Sequence, residues 1–318
     1  MQLFHDLPTQ PLARPTVLTI GNFDGVHRGH QALIAHLLES AHGQSPHSGD
    51  RWAGVITFDP HPLTVLAPQR TLPFLTNLDE RLELLAALAL DFVVLYPFTA
   101  ETAQTSARVF ATRLSEQLHL SELWVGPDFT LGRQQEGNAA ALTTLGQELG
   151  FGIRVVPPYC LGGQSVRSTR IRTLLLEGEV QEAADLLGRP YRVSGEVIEG
   201  ANRGGPLGFP TVNLAMESGR VLPRDGTYAG WATEEGCTHP AAINVGVRPT
   251  FEPAGAERIV EAHLLSYDGC LFGKTVALTF VQRLRAEVPF ESPELWAVQM
   301  DRDVARTRHV LGLGKSKG

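Results

Sequence analysis

Cysteine is scarce in this chain of 318 residues, which has only Cys160, Cys237 and Cys270. The three are odd in number and far apart, and the sequence contains no C-x-x-C pair of the kind that holds zinc. Isolated thiols of this sort suit a reducing compartment, so the expected location is the cytoplasm.

Long apolar runs and an excess of positive charge are also lacking. No window approaches the roughly 18 apolar residues of a membrane span, and Met1–Asp6 lacks the basic start and apolar core of a signal peptide. The formal net charge is −7, which does not favour binding to nucleic acid or to an anionic membrane. We therefore expect neither partner, and any phosphate must be bound by local features.

The composition is that of a globular protein, with 43% hydrophobic and 19% charged residues. The chain is long enough for two domains. Its first half alternates β-rich runs (16–20, 52–58, 91–96, 122–125, 153–156) with helical patterns (29–41, 78–88, 102–118, 139–149). This rhythm predicts an α/β domain with a mostly parallel sheet covered on both faces. The loops after the strands would then share one edge of the sheet.

The pattern changes near residue 190. From 191 to 288 the runs are short, β-branched and separated by turn residues, which predicts a small antiparallel β-barrel or sandwich, followed by a terminal helix over about 293–311. Segment 168–188 reads as two helices with a break and links the halves. The predicted domains are 1–188 and 189–318.

One loop of the first domain combines features of a phosphate site. Thr16–Ile20 leads into Gly21-Asn-Phe-Asp-Gly-Val-His-Arg-Gly-His30, and a helical pattern follows. If the helix begins near Gly29, then His27 and His30 can face one anion, which the free N–H groups of the helix start would also bind. Gly21 and Gly25 permit a tight turn.

Two alternative roles are open to the histidine pair. A zinc site is one, although H-x-x-H supplies only two ligands and no cysteine lies near in sequence. A turn whose histidines only cap the helix is the second. The glycines, the preceding strand and the following helix favour a phosphate loop.

The same ten residues carry a family resemblance. His27-Arg-Gly-His30 resembles the H-x-G-H motif of the nucleotidyltransferase superfamily, and the longer stretch is similar to the bacterial bifunctional riboflavin kinase/FAD synthetases. The resemblance implies a Rossmann-like nucleotidyltransferase domain in which His27 and His30 stabilise charge on the α-phosphate of ATP during adenylyl transfer. It also implies ATP contacts from the rest of the loop: Gly21, Asn22, Phe23, Asp24, Gly25 and Gly29.

Further motifs extend the resemblance through the first domain. Ser165-Val-Arg-Ser-Thr-Arg-Ile-Arg172 is similar to the family's I-S-S-T-x-I-R, which implies phosphate contacts from Ser168, Thr169 and Arg172; Arg167 stands where the family usually has serine. The stretches after the fourth and second strands, 125–132 and 58–62, resemble two more motifs, with Leu131 in place of an aromatic residue. They imply a flavin site that includes Pro60, Asp128 and Phe129.

In the second domain, Leu207-Gly-Phe-Pro-Thr211 and Asn213 resemble the riboflavin kinase signature, except that Gly205 stands where arginine is usual. In a strand Thr211 and Asn213 point to one face, and their oxygens suit Mg²⁺. The resemblance implies ATP and phosphate contacts from Gly195, Gly200, Arg203, Gly208 and Pro210. Ile259-Val-Glu-Ala-His-Leu-Leu265 also matches the family and makes Glu261 the expected base, while His263 is expected to be structural.

Together the motifs imply an enzyme with two activities. It would phosphorylate riboflavin with ATP to FMN, then join FMN to AMP from a second ATP to give FAD and pyrophosphate, with Mg²⁺ in both steps. The departures at Arg167 and Gly205 leave open an enzyme that retains only one activity, and a flavin or nucleotide sensor is a further alternative. The sequence does not indicate the oligomeric state.

Overall fold

The computed structural model describes residues 1–43, 50–69, 73–199, 209–247, 258–267 and 269–314. The chain forms two compact units, Met1–Ser168 and Thr169–Gly318. The helices of segment 168–188 fall almost entirely in the second unit by this division. The domain boundary at residue 188 stays a prediction.

The first unit is built from alternating strands and helices. Its strands are β1 Gln2–Phe4, β2 Thr16–Ile20, β3 Trp52–Asp59, β4 Phe92–Pro97, β5 Leu120–Val125, β6 Thr130–Leu131, β7 Gly137–Asn138, β8 Gly152–Val155, β9 Cys160–Leu161 and β10 Gln164–Ser165. Its helices are α1 Arg28–His42, α2 Pro62–Leu66, α3 Leu78–Ala86, α4 Ala107–Leu118 and α5 Ala139–Leu149.

Six of these strands form one parallel sheet in the order β1-β4-β3-β2-β5-β8, which confirms the predicted α/β architecture. The chain runs from β2 to β3 and β4 on one side, and from β5 to β8 on the other. The strand order therefore reverses between β2 and β5. Ligands of open parallel sheets bind beyond the carboxyl ends of the strands at such a reversal.

Helices cover both faces of the sheet, and alternate residues of each strand belong to two separate hydrophobic cores. Val17, Val55 and Val93 pack with residues of α1 and α3. Leu18, Ile56 and the opposite face of β4 pack with α4 and α5. The all-buried sequence of β2 thus reflects its central place in a sheet covered on both sides.

The second unit contains α6 Ser168–Glu177, which starts at the last residue of the first unit, and α7 Val180–Leu187. The strands β11 Tyr191–Ile198, β12 Val212–Ala215, β13 Gly226–Glu234, β14 Cys237–Val247, β15 Arg258–Leu264 and β16 Thr275–Arg285 form a closed barrel in the order β11-β12-β15-β14-β13-β16. Neighbouring strands are antiparallel, so the predicted barrel is confirmed. Helix α8, Pro293–Val310, is the predicted terminal helix.

Most predicted elements lie within one or two residues of their predicted bounds, but helix α4 begins well after its predicted start. The pattern over 102–118 predicted a single helix, but a 3-10 turn over Thr102–Gln104 precedes α4. Ser106 separates the two because its hydroxyl accepts the N–H of Val109 as a helix cap. No helix in the described ranges has the length and apolarity needed to cross a membrane.

Candidate active site

The loop between β2 and α1 has an unusual backbone. Phe23, Gly25 and Val26 all lie in the left-handed region, with φ of 49°, 82° and 40°. Glycine adopts this region freely, whereas a β-branched valine does so only under strain. Such a conformation persists when the surrounding structure fixes it.

Part of that fixation comes from Asp24, which is 4% exposed. Its carboxylate accepts the backbone N–H groups of Leu75 and Thr76 at 2.9 and 3.0 Å, and the Thr76 hydroxyl at 3.2 Å. The same hydroxyl accepts the N–H of Gly25 at 3.0 Å. These contacts support a role for Asp24 in positioning the loop. The phosphate contact that the sequence predicted for Asp24 stays a prediction.

A buried arginine fixes the start of the same loop. Arg81 on α3 donates from Nη1 to the carbonyl of Asn22 and from Nη2 to that of Phe58, both at 3.0 Å. Burial lowers the pKa of its guanidinium. Sequence reasoning missed Arg81, since it lies among acidic neighbours in an ordinary helical pattern and nothing in the pattern distinguishes it.

His27 caps helix α1. Its Nδ1 accepts the backbone N–H of His30 at 3.2 Å, so a neutral His27 carries its proton on Nε2. The imidazoles of His27 and His30 are stacked, with ring centroids 3.7 Å apart and planes at 12°. Both rings therefore lie at the N-terminus of the helix, where free N–H groups and the helix dipole favour an anion.

His30 is more constrained than His27. Its ring also packs on Phe23, with centroids 5.0 Å apart, and its buried Nδ1 has no hydrogen-bond partner among the described residues. Burial, and secondarily the adjacent His27, lower its pKa well below the ordinary value. His30 is therefore neutral near pH 7 in the protein without ligand.

These histidines line a cleft of about 560 Å³ at the reversal of strand order. The cleft collects residues from the β2–α1 loop and α1, the loop after β5, the segment after β8, and the residues before α6. The predicted site residues that line it are Gly21, Phe23, His27, Gly29, His30, Asp128, Phe129 and Ser168. Pro60, which is exposed after β3, is not among the described lining residues.

The second phosphate motif meets the first through a hydrogen bond. The Ser168 hydroxyl donates to the carbonyl of Asp24 at 3.0 Å. Thr169 and Arg172 follow in the first turns of α6 and belong to the second unit. Arg167 forms an ion pair with Asp128 at 2.9 Å, a contact that the sequence did not suggest.

In the barrel, four polar side chains form a row across neighbouring strands. Asn213 of β12 is paired with Glu261 of β15, which is paired with Asn244 of β14, which is paired with Thr227 of β13. Directly opposed residues share a face of a sheet, so these side chains emerge on one side. Asn213 is 5% exposed, and its Oδ1 has no hydrogen-bond partner within the described ranges.

Of the other predicted kinase residues, Gly195, Pro210 and Thr211 lie in the described ranges. Thr211 and Pro210 precede β12, and the carbonyl of Pro210 lies 2.8 Å from Nδ1 of His263, which gives His263 the structural role expected of it. Gly195 lies within β11, where a Cβ atom would be 2.4 Å from the carbonyl oxygen of Ala215, so its contacts concern strand packing. Gly200, Arg203 and Gly208, with the departure at Gly205, fall outside the described residues.

A buried amide oxygen without a partner, two residues after Thr211 in the sequence, fits a hard cation, since Mg²⁺ takes oxygen ligands and is commonly held by one or two side chains together with phosphates. Across the described ranges, no group of three or more His, Cys, Asp or Glu side chains is placed to hold a metal ion.

Comparison with known proteins covers both units. The FAD synthetase family model matches residues 9–170, and the riboflavin kinase model matches residues 187–311. The bifunctional riboflavin kinase/FMN adenylyltransferase of Escherichia coli K12 is 35% identical over 313 residues, which are 98% of this chain and 97% of that protein. The protein of the same name from Listeria monocytogenes is 32% identical over 293 residues, 92% and 91% of the two chains.

A solved structure has a similar fold over nearly the whole chain. The crystal structure of a macrolide-efflux protein from Streptococcus pneumoniae superposes with a TM-score of 0.85 at 27% identity, over 96% of this chain and 98% of that one.

Proposed function

This chain belongs to the family of bifunctional riboflavin kinase/FMN adenylyltransferases, and on that premise we propose how its residues divide the two reactions. The enzyme is a transferase that phosphorylates riboflavin with ATP to FMN and then adenylylates FMN with a second ATP. We assign the first step to the barrel and the second to the cleft of the α/β unit.

In the cleft, the FMN phosphate attacks the α-phosphate of ATP in line, and pyrophosphate leaves. His27 and His30 bind the phosphates and offset the charge that grows in the transition state, so no covalent intermediate is needed. The observation that carries this assignment is the stacked pair at the helix N-terminus, in the cleft where the strand order reverses. A phosphate beside His30 would favour its protonated form.

The remaining assignments in this unit follow the motifs. Gly21 to Gly25 and Gly29 shape the loop so that backbone groups can approach ATP, and Ser168, Thr169 and Arg172 contact its phosphates. Phe129 offers an aromatic face, and Asp128 a polar acceptor, to the flavin or the adenine. Pro60 stays a proposed flavin contact that does not line the cleft among the described residues.

In the barrel, Glu261 deprotonates or orients the ribityl hydroxyl of riboflavin. The Thr211 hydroxyl and the Asn213 amide oxygen would hold Mg²⁺, and the unpartnered Oδ1 of Asn213 supports this role. A metal ion held by these two side chains would supply positive charge that offsets the charge of the ATP phosphates. Gly195, Gly200, Arg203, Gly208 and Pro210 stay predicted contacts of ATP.

Two alternatives differ in their products. An enzyme that retains one activity would stop at FMN or would need supplied FMN, and a flavin sensor would form neither product. Incubation with riboflavin, ATP and Mg²⁺, followed by chromatography, separates these cases.

The cytoplasm stays the expected location, to which the three exposed, unpaired cysteines are suited.

The division of labour predicts opposite effects for two substitutions. His30→Ala should lower FAD formation from supplied FMN at least about a hundredfold, as loss of a charge-stabilising group does, while riboflavin phosphorylation is retained. Glu261→Ala should abolish FMN production and leave FAD formation from FMN intact. Each variant serves as the folding control of the other. A parallel loss of both activities in a folded variant would contradict the assignment.

A further inference from the structure

Arg167 lines the cleft and contacts two other residues that line it. Its Nη2 donates to Oδ2 of Asp128 at 2.9 Å, and its Nε donates to the Ser165 hydroxyl at 3.3 Å. All three residues line the cleft, Asp128 on the loop after β5 and the other two just before α6. The guanidinium is thus held by a partner on the loop after β5 and by one in its own segment, although the side chains of Arg167 and Asp128 remain 60% and 72% exposed.

The charge of the described cleft residues is concentrated in this ion pair. Arg167 carries their one permanent positive charge and Asp128 their one carboxylate. His30 does not add a fixed charge, because burial holds it neutral without ligand. A polyphosphate that enters this cleft therefore meets one fixed cation, and that cation is already bound to a carboxylate.

We propose that Arg167 is a polyphosphate-binding residue of the adenylyltransferase site and that Asp128 competes with the polyphosphate for it. This inference rests on the proposed function and adds a residue to it. An arginine offers a polyphosphate a charged, bidentate contact.

The exposure of the pair makes the exchange feasible. Exposed ion pairs contribute little to stability, so release of Asp128 costs little. A pyrophosphate group has a higher charge than a carboxylate and accepts the fork of an arginine in the same way. The Ser165 contact keeps Nε oriented while Nη2 changes partner.

The proposal predicts effects of opposite sign at the two ends of the pair. Pyrophosphate binding to the full chain is measured by titration calorimetry, and the KM for ATP is measured with FMN as acceptor. Arg167→Ser should raise the Kd of pyrophosphate roughly tenfold, as expected for loss of a charge-assisted contact. Asp128→Asn should lower the Kd several-fold. When Asp128→Asn is added to Arg167→Ser, it should no longer lower the Kd.

A matched control is the pair of Arg108 and Glu148, which is 2.7 Å long, similarly exposed, and outside the cleft lining. Arg108→Ser should leave the Kd of pyrophosphate unchanged. An unchanged Kd in Arg167→Ser, or an unchanged or raised Kd in Asp128→Asn, would overturn the proposal while FAD formation by the wild type still supports the proposed function. Wild-type protein that neither binds pyrophosphate nor forms FAD would overturn both.

Discussion

At the scale of single residues, the adenylyltransferase cleft depends on how burial distributes charge between two stacked imidazoles. His27 has its Nδ1 occupied by the N–H of His30, and His30 is neutral because it is buried beside His27. Two charged rings 3.7 Å apart would repel each other. An arriving phosphate removes that penalty, so anion binding and protonation should be linked.

The lowered pKa of His30 predicts a pH dependence of stability. The unfolded chain takes up a proton at His30 as the pH falls through its ordinary pKa of about 6.5, while the folded chain does not. The stability contributed by neutral His30 is therefore complete above about pH 6.5 and is lost as the pH falls below it. His30→Gln should flatten this part of the profile.

The measurement is urea unfolding of the wild type and the variant between about pH 5 and 7.5, where the ordinary histidine pKa lies. The exposed His5 provides a control, because His5→Gln should keep the wild-type slope. Equal slopes for wild type and His30→Gln would show that His30 does not resist protonation in the folded protein.

Sequence reasoning found the residues that belong to local motifs and missed those that reach the site from afar. His27, His30 and Ser168 lie in recognisable strings, and the structure brings them to one cleft. Arg81 and the partner of Arg167 could not be predicted, because each contact joins positions far apart in sequence. The pairing of Asn213 with Glu261 depends on strand register, which short alternating patterns leave unspecified.

At the scale of elements, the strained loop before α1 is held by the short segment that leads into α3. Asn77 and Glu80 form a capping box that fixes the start of α3. The residues just before it, Leu75 and Thr76, therefore present their N–H groups to Asp24 in a defined position. The orientation of the histidine-bearing helix start thus depends on a segment that is distant in sequence.

This support predicts a specific effect of Thr76→Val. The substitution keeps the shape of the side chain but removes the hydroxyl, and with it the buried hydrogen bonds to the N–H of Gly25 and to the carboxylate of Asp24. We expect a loss of about 1–2 kcal/mol in the free energy of unfolding, as for the loss of other buried hydrogen bonds. The kcat of FAD formation should fall because the histidines are less well positioned.

Thr76→Ser, which keeps the hydroxyl, should restore both the stability and the rate. Denaturant unfolding and the assay with supplied FMN test the two effects. If the valine variant matched the wild type in both measurements, the loop would not depend on this contact.

The elements themselves were largely predictable because their signals are local. Strand β2 and helix α5 have the predicted bounds, since a buried apolar run and an Asn-capped helix are clear patterns. The edge strand β1 and the two-residue strands β6, β7, β9 and β10 were not predicted. Strands this short carry no periodicity, and their pairing follows from the surrounding fold.

At the scale of the whole molecule, each unit has a core of its own. The α/β unit is built on its two sheet faces, and the barrel is closed around residues such as Tyr228 and Phe280, both 0% exposed. In the second unit α8 is fixed to the barrel by Asp303, which is 3% exposed. Its carboxylate accepts Nε and Nη2 of Arg285 at 2.9 and 2.8 Å and Nε2 of Gln299 at 3.0 Å.

Because each unit has its own core, we expect that the two activities can be lost at different temperatures. Asp303→Ala leaves the Arg285 guanidinium without its carboxylate, and we expect the barrel unit to lose about 2–3 kcal/mol, below the range for fully buried pairs because Arg285 keeps some contact with water. This corresponds to a decrease of about 5 °C or more in its unfolding midpoint. Riboflavin phosphorylation should then be lost at a lower temperature than in the wild type, while FAD formation from supplied FMN keeps its wild-type profile.

The exposed Asp301 on the same helix gives the control Asp301→Ala, which should leave both profiles unchanged. Residual activity of each half-reaction after brief heating tests the prediction. If both half-reactions of Asp303→Ala failed at the same lowered temperature, the two units would unfold together, and the anchor of α8 would support the whole enzyme.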